Sequence, residues 1–450
     1  MRIHHFKVCF SILTVCCGFI ILNFIATFLS PASVTFDNDE HCLDGSHIRF
    51  NQSGQIDTSS QWRKLGLATY VFTAYLDDRH PCSAVITVFG FGEKSESPLY
   101  GTLLLHNGAR MHLGECKDKK KLNPTGHYTL GKLGPYAYSW PLPRDVVTPI
   151  DLNSILVQQS HPMTGKTQAK IPITIPVYST KTFAVCIHSP LFGPVKAKAV
   201  IESIEINKVL GAEWFTFYTY TVDQSVLQVL RSYAREGLVE VVQNWGKGFP
   251  GESTHYFGQT LSINECAYRN MYRVKYLMYV DLDEFIVPRK SLSWSGMMKE
   301  IDNYKYGTYL FRHSFFFENY NNTVLDTSAK ETELACNGSY RIELPKFLSS
   351  VIRLQKVSPP KEKSKYIVRP LYTSVIGVHE IFSHVGDHIK TYVVPAEFAL
   401  LHHYRTFTGG PHPVSASVVE DVKRHQRLPD ERAFVYKDRI IAALRRRLCR

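Results

Sequence analysis

The chain has 450 residues, of which 44% are hydrophobic and 20% are charged, and its formal net charge at pH 7 is +12. This composition excludes a disordered chain and predicts a globular fold with a substantial core. No DNA-binding or RNA-binding motif accompanies the positive charge, so the charge does not indicate a nucleic-acid partner.

The first 30 residues predict a short cytoplasmic tail, 1–7, and a transmembrane anchor, 8–29. The anchor sequence VCFSILTVCCGFIILNFIATFL contains no charged residue. As a helix it would extend about 33 Å at 1.5 Å per residue, which is enough to cross a bilayer. A cleaved signal peptide is the alternative, but the apolar run is long and the SPAS sequence behind it is a weak cleavage site. Because the positive residues precede the anchor, we expect the rest of the chain to be lumenal.

Two further patterns agree with a lumenal location. N-glycosylation sequons begin at Asn51, Asn321 and Asn337. Several of the ten cysteines follow the anchor, where disulfides are permitted, and they form no CxxC or Cys/His pattern typical of structural zinc. The spacing of the cysteines does not decide how they pair.

The composition changes twice after the anchor. Residues 30–60 are polar and are predicted to be a stem. Residues 61–179 contain short alternating apolar segments, such as SAVITVFGFG and KIPITIPVYST, which are separated by glycines and prolines. This pattern predicts a β-rich accessory region.

From residue 180 onwards, predicted strands alternate with predicted helices. The segments FAVCIHSPLFG, EWFTFYTY and LVEVVQNW read as strands, and VDQSVLQVLRSYAREG between two of them has apolar residues at helical spacing. Such alternation predicts a parallel sheet covered by helices. The carboxyl ends of the strands then lie at one edge, where ligands bind in this class of fold.

The segment YVDLDEFIVP continues this series with three acids at the end of an apolar strand: Asp281, Asp283 and Glu284. Two carboxylates separated by one residue can converge on a cation, and oxygen ligands suit Mg²⁺ or Mn²⁺. Such a cation would neutralise the diphosphate of a nucleotide-sugar. The alternative is an acidic turn that closes the strand without a ligand.

Several segments, in this order, resemble glycosyltransferase family 92: FAVCIHSPLFG, ESIEINKVLGAEWFTFYTY, LRSYAREGLVEVV, GQTLSINECAYRN, YVDLDEFIVP, SKYIVRP, GVHEIF and LLHHYR. The resemblance implies a GT-A glycosyltransferase fold, α/β with a Rossmann-like, mostly parallel sheet, over residues 180–450 with a basic C-terminal extension. It also implies a Golgi type II membrane enzyme. The expected reaction is Mn²⁺-dependent, inverting transfer of galactose from UDP-galactose to a glycoprotein glycan, with a β-1,4 linkage.

The resemblance also implies roles for individual residues. The metal ligands are expected to be Asp281 and Asp283 with His403, and His379 is the rival histidine. The expected nucleotide-sugar contacts are Phe183, Val185, Ile187 and Ser189 after the first strand, Asp223 after the second, and the basic residues Lys365 and Arg369. Inversion requires a base that takes the acceptor proton, and the candidates are Glu380 and, as the alternative, Glu284.

Two other functions compete with glycosyl transfer. A membrane-anchored lectin would use the acidic site to bind sugar without chemistry. A glycoside hydrolase would need two carboxyl groups on either side of the substrate, which neighbouring positions at one strand end do not readily supply.

Overall fold

The computed structural model describes residues 56–57, 60–79, 84–95, 97–126, 132–143, 151–161, 165–175, 181–317, 333–336, 341–405, 420, 424 and 426–449. All of them lie within one compact unit, Gly45–Arg450. The predicted tail and anchor, most of the predicted stem and the three sequon asparagines (Asn51, Asn321 and Asn337) lie outside the described residues. Among the helices that are described, none combines the length and the apolar character needed to cross a bilayer.

The N-terminal part of the described chain consists of β-strands. They are β1 (Ile56–Asp57), β2 (Arg63–Leu65), β3 (Thr69–Asp77), β4 (Val85–Gly92), β5 (Leu99–Leu105), β6 (Arg110–Glu115), β7 (Asp118–Lys121), β8 (Gly134–Pro141), β9 (Leu152–His161) and β10 (Gly165–Thr174). Nine of these form a sheet in the order β6-β5-β9-β10-β3-β4-β8-β7, with β2 against β3. All neighbours are antiparallel except β10 and β3.

This sheet has its own apolar core. Side chains at alternating positions of facing strands meet there, including the buried Ile86, Trp140 and Ile155. The period of two in these strands is the pattern from which the β-rich region was predicted.

The C-terminal part alternates strands and helices at first and then becomes mostly β. Its helices are α1 (Ala197–Leu210), α2 (Gln224–Arg235), α3 (Gln259–Arg269), α4 (Trp294–Ile301), α5 (Lys346–Ser349) and α6 (Lys437–Leu448). Its strands are β11 (Lys181–Ile187), β12 (Trp214–Tyr218), β13 (Val239–Val242), β14 (Val274–Val280), β15 (Glu284–Pro288), β16 (Tyr306–Phe311), β17 (His313–Phe317), β18 (Glu333–Ala335), β19 (Arg341–Glu343), β20 (Ile352–Leu354), β21 (Lys365–Val368), β22 (Thr373–Ile376), β23 (Ile381–His384), β24 (Lys390–Val393), β25 (Ala399–Arg405) and β26 (Arg427–Pro429).

The central sheet has the strand order β1-β13-β12-β11-β14-β21-β16-β24. The strands β1, β13, β12, β11 and β14 are parallel, as the alternating pattern predicts, and β21 is antiparallel to both of its neighbours. The chain moves outward from β11 through β12 to β13 and then returns to the other side of β11 as β14. The strand order therefore reverses between β11 and β14, which is where ligands bind in sheets of this kind.

Helix α2 illustrates how the local sequence fixes one covering helix. Its buried residues Val226, Leu230 and Tyr233 are four and three positions apart, so they share one face. Gly237 follows the helix with φ of 73°, a conformation that favours glycine over residues with a Cβ. The helix thus ends where the sequence pattern predicts.

Both faces of the central sheet are covered. Phe183, Val185 and Ile187 of β11 pack into the core that includes residues of α1, α2 and α4. Ala184 and Cys186 face the opposite core, which includes residues of α3 and of the N-terminal strands β3 and β4. The N-terminal sheet thereby takes the place of a covering layer on that side.

A second sheet of the C-terminal part has the order β15-β25-β17-β20-β26. It begins where the chain leaves β14, because β15 starts at Glu284. The acidic turn therefore joins the central sheet to this five-stranded sheet.

A group of buried charged residues, here called the junction cluster, joins the N-terminal strands to the central sheet through α3. Its members are Asp57, Glu240, Glu265, Arg269 and Arg273. Arg269 forms ion pairs with Glu265 at 2.7 Å, Glu240 at 2.8 Å and Asp57 at 2.9 Å. Tyr75 of β3 also donates a hydrogen bond to Glu265.

Disulfides join distant parts of the described chain. Cys186 of β11 is bonded to Cys266 of α3, and Cys336, just after β18, is bonded to Cys449 at the end of α6. The second bond closes a loop with a sequence separation of 113 residues. Cross-links of this length mainly reduce the entropy of the unfolded chain.

Candidate functional site

The acidic stretch is a tight turn at the carboxyl end of β14. The strand ends at Val280, and the backbone N–H of Glu284 donates to the carbonyl oxygen of Asp281 at 3.2 Å before β15 begins. The turn lies beside the end of β11, since Val280 pairs with Ile187. The acids therefore lie at the point where the strand order reverses.

These acids and two basic side chains form the edge cluster, defined here as Asp281, Asp283, Glu284, Lys365 and His403. Lys365 comes from β21, which pairs with β14. His403 comes from β25, where it lies opposite Glu284 of β15. The cluster thus depends on both C-terminal sheets.

The carboxylate of Asp281 has a protein partner on each oxygen. Lys365 Nζ donates to Oδ2 at 2.8 Å, and Ser189 Oγ donates to Oδ1 at 3.0 Å. Burial alone would raise the pKa of Asp281, but attraction to the Lys365 ammonium and the hydrogen bonds hold the pKa below its usual range. Asp281 is therefore an ionised carboxylate that the protein has already fixed in place.

Lys365 is buried beneath the turn, with 2% of its side chain exposed. Burial disfavours its charged form, yet the carboxylates of Asp281 and Glu284 outweigh that effect and raise the pKa of Lys365. The same Glu284 carboxylate accepts a hydrogen bond from the backbone N–H of Asp281 at 3.0 Å. Burial is the main reason why the pKa of Glu284 is raised.

Asp283 and His403 form the more open half of the edge cluster. His403 Nε2 lies 3.4 Å from Asp283 Oδ2, and 47% of the Asp283 side chain is exposed. Burial lowers the pKa of His403, but the carboxylates of Asp283 and Glu284 more than compensate, so the net shift is upward. Partial desolvation would raise the pKa of Asp283, but attraction to His403 and the hydrogen bond between them lower it below its usual range.

His313 of β17 holds the other side of the His403 ring. The two rings are linked by a 2.9 Å hydrogen bond between His313 Nε2 and His403 Nδ1. Burial and the neighbouring His403 lower the pKa of His313 well below its usual value. A neutral His313 accepts the Nδ1 proton of His403, and this leaves His403 Nε2 directed towards Asp283.

The residues present fit a divalent cation. Glu284, His313 and His403 each offer a ligand atom, and these atoms lie within 4.8 Å of one another. Asp283 adds a half-exposed carboxylate at Nε2 of His403, whereas Glu284 and His313 lie at Nδ1 of the same ring. Carboxylate donors suit Mn²⁺ and Mg²⁺ alike, and the imidazole donors favour a transition-metal ion over Mg²⁺.

The other predicted histidine, His379, lies on a different side of the cluster. Its ring stacks on buried His188 at 6.4 Å, and its Nδ1 lies 3.1 Å from the carbonyl oxygen of Ser364. Burial and the nearby Lys365 lower the pKa of His379 to about 4. The structure brings His403, rather than His379, into contact with Asp283.

The two candidate bases differ in exposure. Glu284 is 3% exposed and is held by Lys365 and the turn, whereas 31% of the Glu380 side chain is exposed. Glu380 lies between β22 and β23, and its Oε2 is 2.8 Å from Lys361 Nζ. Glu380 is thus the more accessible of the two carboxylates.

The predicted nucleotide contacts separate into two groups. Ser189 reaches Asp281, and Lys365 belongs to the edge cluster. The remaining residues do not come together with them. Phe183, Val185 and Ile187 are buried in the core, Asp223 is exposed in front of α2, and Arg369 pairs with Asp302.

Three site residues were missed in the sequence: His188, Gln259 and His313. His188 follows β11 directly, and Gln259 begins α3 and donates to Ser189 Oγ at 3.2 Å. The sequence could have indicated both residues as site residues, because His188 lies at a strand end and Gln259 at the start of a helix. His313 had no such signal, because it lies in the aromatic segment HSFFF.

A family model and a named relative point to the same family. The family model described as Glycosyltransferase family 92 matches residues 181–444. The chain is 21% identical over 269 residues to "Beta-1,4-galactosyltransferase galt-1" of Caenorhabditis elegans, covering 57% of this chain and 58% of that protein. It is 26% identical over 135 residues to "Glycosyltransferase family 92 protein F13G3.3" of the same organism, covering 28% of this chain and 26% of that protein. The matches thus span less than two thirds of these relatives.

Among solved structures, the chain is similar to "Crystal structure of S. aureus TarS 1-349". The identity is 14%, the TM-score is 0.19, and the match covers 42% of this chain and 47% of that chain. A score this low carries no argument about the fold.

Proposed function

The chain belongs to glycosyltransferase family 92, and on that premise we propose that it transfers galactose from UDP-galactose to a hydroxyl of a glycoprotein glycan. The proposed fold is GT-A, and the proposed reaction is metal-dependent, inverting and β-1,4. The observation that carries the proposal is the edge cluster, which combines an exposed carboxylate, Asp283, with His403 at the reversal of the strand order. A nucleotide-sugar is the ligand class that matches both the family and a site at such an edge.

We propose that Asp283 and His403 hold the divalent cation, with Glu284 and His313 beside them. When bound, Mn²⁺ would supply the positive charge that offsets the charge of the leaving diphosphate. Asp281 also stands as a predicted ligand, although both of its oxygens have protein partners. The chain's own contribution is to hold these donors in place through the pairing of β15, β17 and β25.

The acceptor proton requires a base on the opposite side of the reacting carbon from the leaving group. We assign this role to Glu380, because 31% of its side chain is exposed to solvent. Glu284 is the alternative, but its side chain is buried and already bound by the Asp281 N–H and by Lys365. In this proposal Glu284 supports the cluster, and a carboxylate oxygen of Glu380 receives the proton.

The location belongs to the same proposal. A single anchor at residues 8–29 would place the C-terminal part in the Golgi lumen as a type II membrane protein. Glycoproteins that pass through that compartment would supply the acceptor. Glycosylation at Asn51, Asn321 and Asn337 would be a direct sign of lumenal exposure.

The test is a donor screen with the purified full-length chain in detergent. UDP-galactose, UDP-glucose and UDP-N-acetylglucosamine are each offered with a panel of glycan acceptors, in Mn²⁺ or in EDTA. We expect product only with UDP-galactose and Mn²⁺, and a loss of at least about 100-fold in Asp283→Asn. Asp118→Asn, which changes a carboxylate on exposed β7, serves as the matched control and is expected to retain activity.

Other outcomes identify the competing functions. Transfer from a different UDP-sugar would contradict the donor while leaving a glycosyltransferase. Glycan binding without any transfer would favour a lectin. Cleavage of a glycoside in the absence of nucleotide would favour a hydrolase.

A further inference from the structure

Lys365 is the buried cation of the edge cluster, and its contacts are all internal. Its Nζ lies 2.8 Å from Asp281 Oδ2, 2.9 Å from His188 Nδ1 and 3.2 Å from Glu284 Oε2. An ammonium group has three N–H donors. Each donor therefore has an acceptor inside the protein, which is not the arrangement of a lysine that waits for a diphosphate.

The acceptors of Lys365 are themselves held firmly. His188 is fully buried, and its Nδ1 also lies 3.1 Å from Gln259 Nε2. Burial and the adjacent Lys365 lower the pKa of His188 well below its usual value, so its ring is neutral and Nδ1 accepts. The backbone N–H of Asp281 donates to the same Glu284 oxygen that Lys365 approaches. Moving Lys365 would therefore disturb the turn itself.

The cluster is divided by this lysine into two halves. On one side, Asp281 and the Oε2 atom of Glu284 are neutralised by Lys365. On the other, Asp283 faces His403, and Glu284 Oε1 lies 3.4 Å from His403 Nδ1. The Asp283 carboxylate of the second half is the more exposed, at 47%, whereas the Asp281 carboxylate of the first half is 33% exposed and is bound to Lys365.

We propose that Lys365 is a positioning residue, a resident cation that occupies the Asp281–Glu284 half and confines a divalent cation to the Asp283–His403 half. This inference rests on the proposed function only in requiring that the edge cluster binds a divalent cation. It replaces the expectation that Lys365 contacts the diphosphate. Lys365 acts through the carboxylates that it holds and does not touch the substrate.

The net charge of the edge cluster determines how strongly it attracts a divalent cation, and this attraction can be measured. Three carboxylates and Lys365 carry a combined charge of −2, and removal of the lysine charge makes it −3. A divalent cation close to these carboxylates would then be attracted more strongly, since each added charge contributes at short range. The freed carboxylates would also compete for the cation and draw it away from Asp283.

The first experiment titrates the full-length protein with Mn²⁺ alone, without nucleotide or acceptor, and follows free Mn²⁺ by electron paramagnetic resonance. We expect Lys365→Met to bind Mn²⁺ at least about tenfold more tightly than the wild type. Its transfer rate at saturating Mn²⁺ is expected to fall at least about tenfold, because the cation is displaced. Lys365→Arg keeps the charge and is expected to bind Mn²⁺ within about threefold of the wild type.

A double variant distinguishes the effect of the lysine charge from a loss of folding. Lys365→Met combined with Asp281→Asn restores the charge of −2 and removes the carboxylate that has lost its lysine partner. We expect its Mn²⁺ affinity to return to within about threefold of the wild type. This reversal by a second substitution is not expected from a lysine that only fills space.

Three results would overturn the inference. Weaker Mn²⁺ binding in Lys365→Met would indicate a general structural role. Unchanged Mn²⁺ binding with weaker UDP binding at saturating Mn²⁺ would indicate a direct diphosphate contact. A wild-type protein that binds no Mn²⁺ would also contradict it, whereas a wild type that binds Mn²⁺ but transfers no galactose would contradict the proposed function alone.

Discussion

The junction cluster and the edge cluster contain the same kinds of charged side chains and differ in how far these side chains are exposed to solvent. Each brings three carboxylates next to two basic side chains. In the junction cluster no side chain is more than 8% exposed, and Arg269 binds all three acids. In the edge cluster Asp281 is 33% exposed and Asp283 is 47% exposed.

The difference supports a structural role for the junction cluster and the proposed ligand-binding role for the edge cluster. A buried carboxylate is stable only when its charge is compensated, and the junction cluster supplies that compensation from within. The edge cluster compensates Asp281 and Glu284 internally through Lys365 but leaves Asp283 open to solvent beside His403. The open carboxylate, rather than the number of acids, marks the proposed cation site.

The largest expected effect comes from removing the central cation of the junction cluster. Arg269→Met leaves Asp57, Glu240 and Glu265 with too little compensation, so the free energy of unfolding is expected to fall by about 3–5 kcal/mol. Urea denaturation of the full-length protein measures this change. Arg424→Met, at an exposed i,i+4 pair with Glu420, is the matched control and is expected to change stability by less than about 0.5 kcal/mol. A comparable loss in both variants would contradict the structural role of the junction cluster.

A smaller effect is expected from His313, which orients His403 in the edge cluster. His313→Phe removes the hydrogen bond to His403 Nδ1, and Mn²⁺ affinity is expected to fall about 10–100-fold. The titration with Mn²⁺ described above measures this loss. His402→Phe changes the neighbouring buried histidine, which stacks on Phe316, and is expected to leave Mn²⁺ affinity unchanged. Equal losses in the two variants would show that packing alone is responsible.

The smallest effect is the pH dependence of the junction cluster. Burial would raise the pKa of Glu240, but attraction to Arg273 and Arg269 lowers it below the usual value. A carboxylate with a lowered folded-state pKa stabilises the protein above its unfolded-state pKa of about 4.3, and this contribution is lost as pH falls through the folded value. We expect the free energy of unfolding to fall by about 1 kcal/mol or more between pH 6 and pH 3, and Glu240→Gln to flatten that dependence. Stability that rises as pH falls over this range would contradict the account.

The sequence predicted the parallel strands and the acids at the end of β14, because these features depend on local periodicity. It also predicted the family, because several family motifs occur in the expected order. The alternation of strands and helices was confirmed in the parallel part of the central sheet. The GT-A assignment of the whole domain stays a prediction. The assignments of individual ligands and of the catalytic base likewise stay predictions.

The side-chain positions that the sequence could not predict depend on pairing between strands that are distant in the chain. Lys365 and Arg369 are four residues apart and seemed equivalent, but β21 runs antiparallel to β14. This direction brings Lys365 to the acidic turn and takes Arg369 to the other end of the strand, where it meets Asp302. Phe183, Val185 and Ile187 were predicted from their position before the strand end, but the sheet is covered on both faces, so all three side chains are buried in a core.

Anomalous diffraction from crystals of the protein soaked with Mn²⁺ and UDP tests the central claim most directly. We expect one strong peak in contact with Asp283 and His403, with Lys365 still bound to Asp281 and Glu284. A peak between Asp281 and Glu284 with Lys365 displaced, or no peak at this turn, would contradict it.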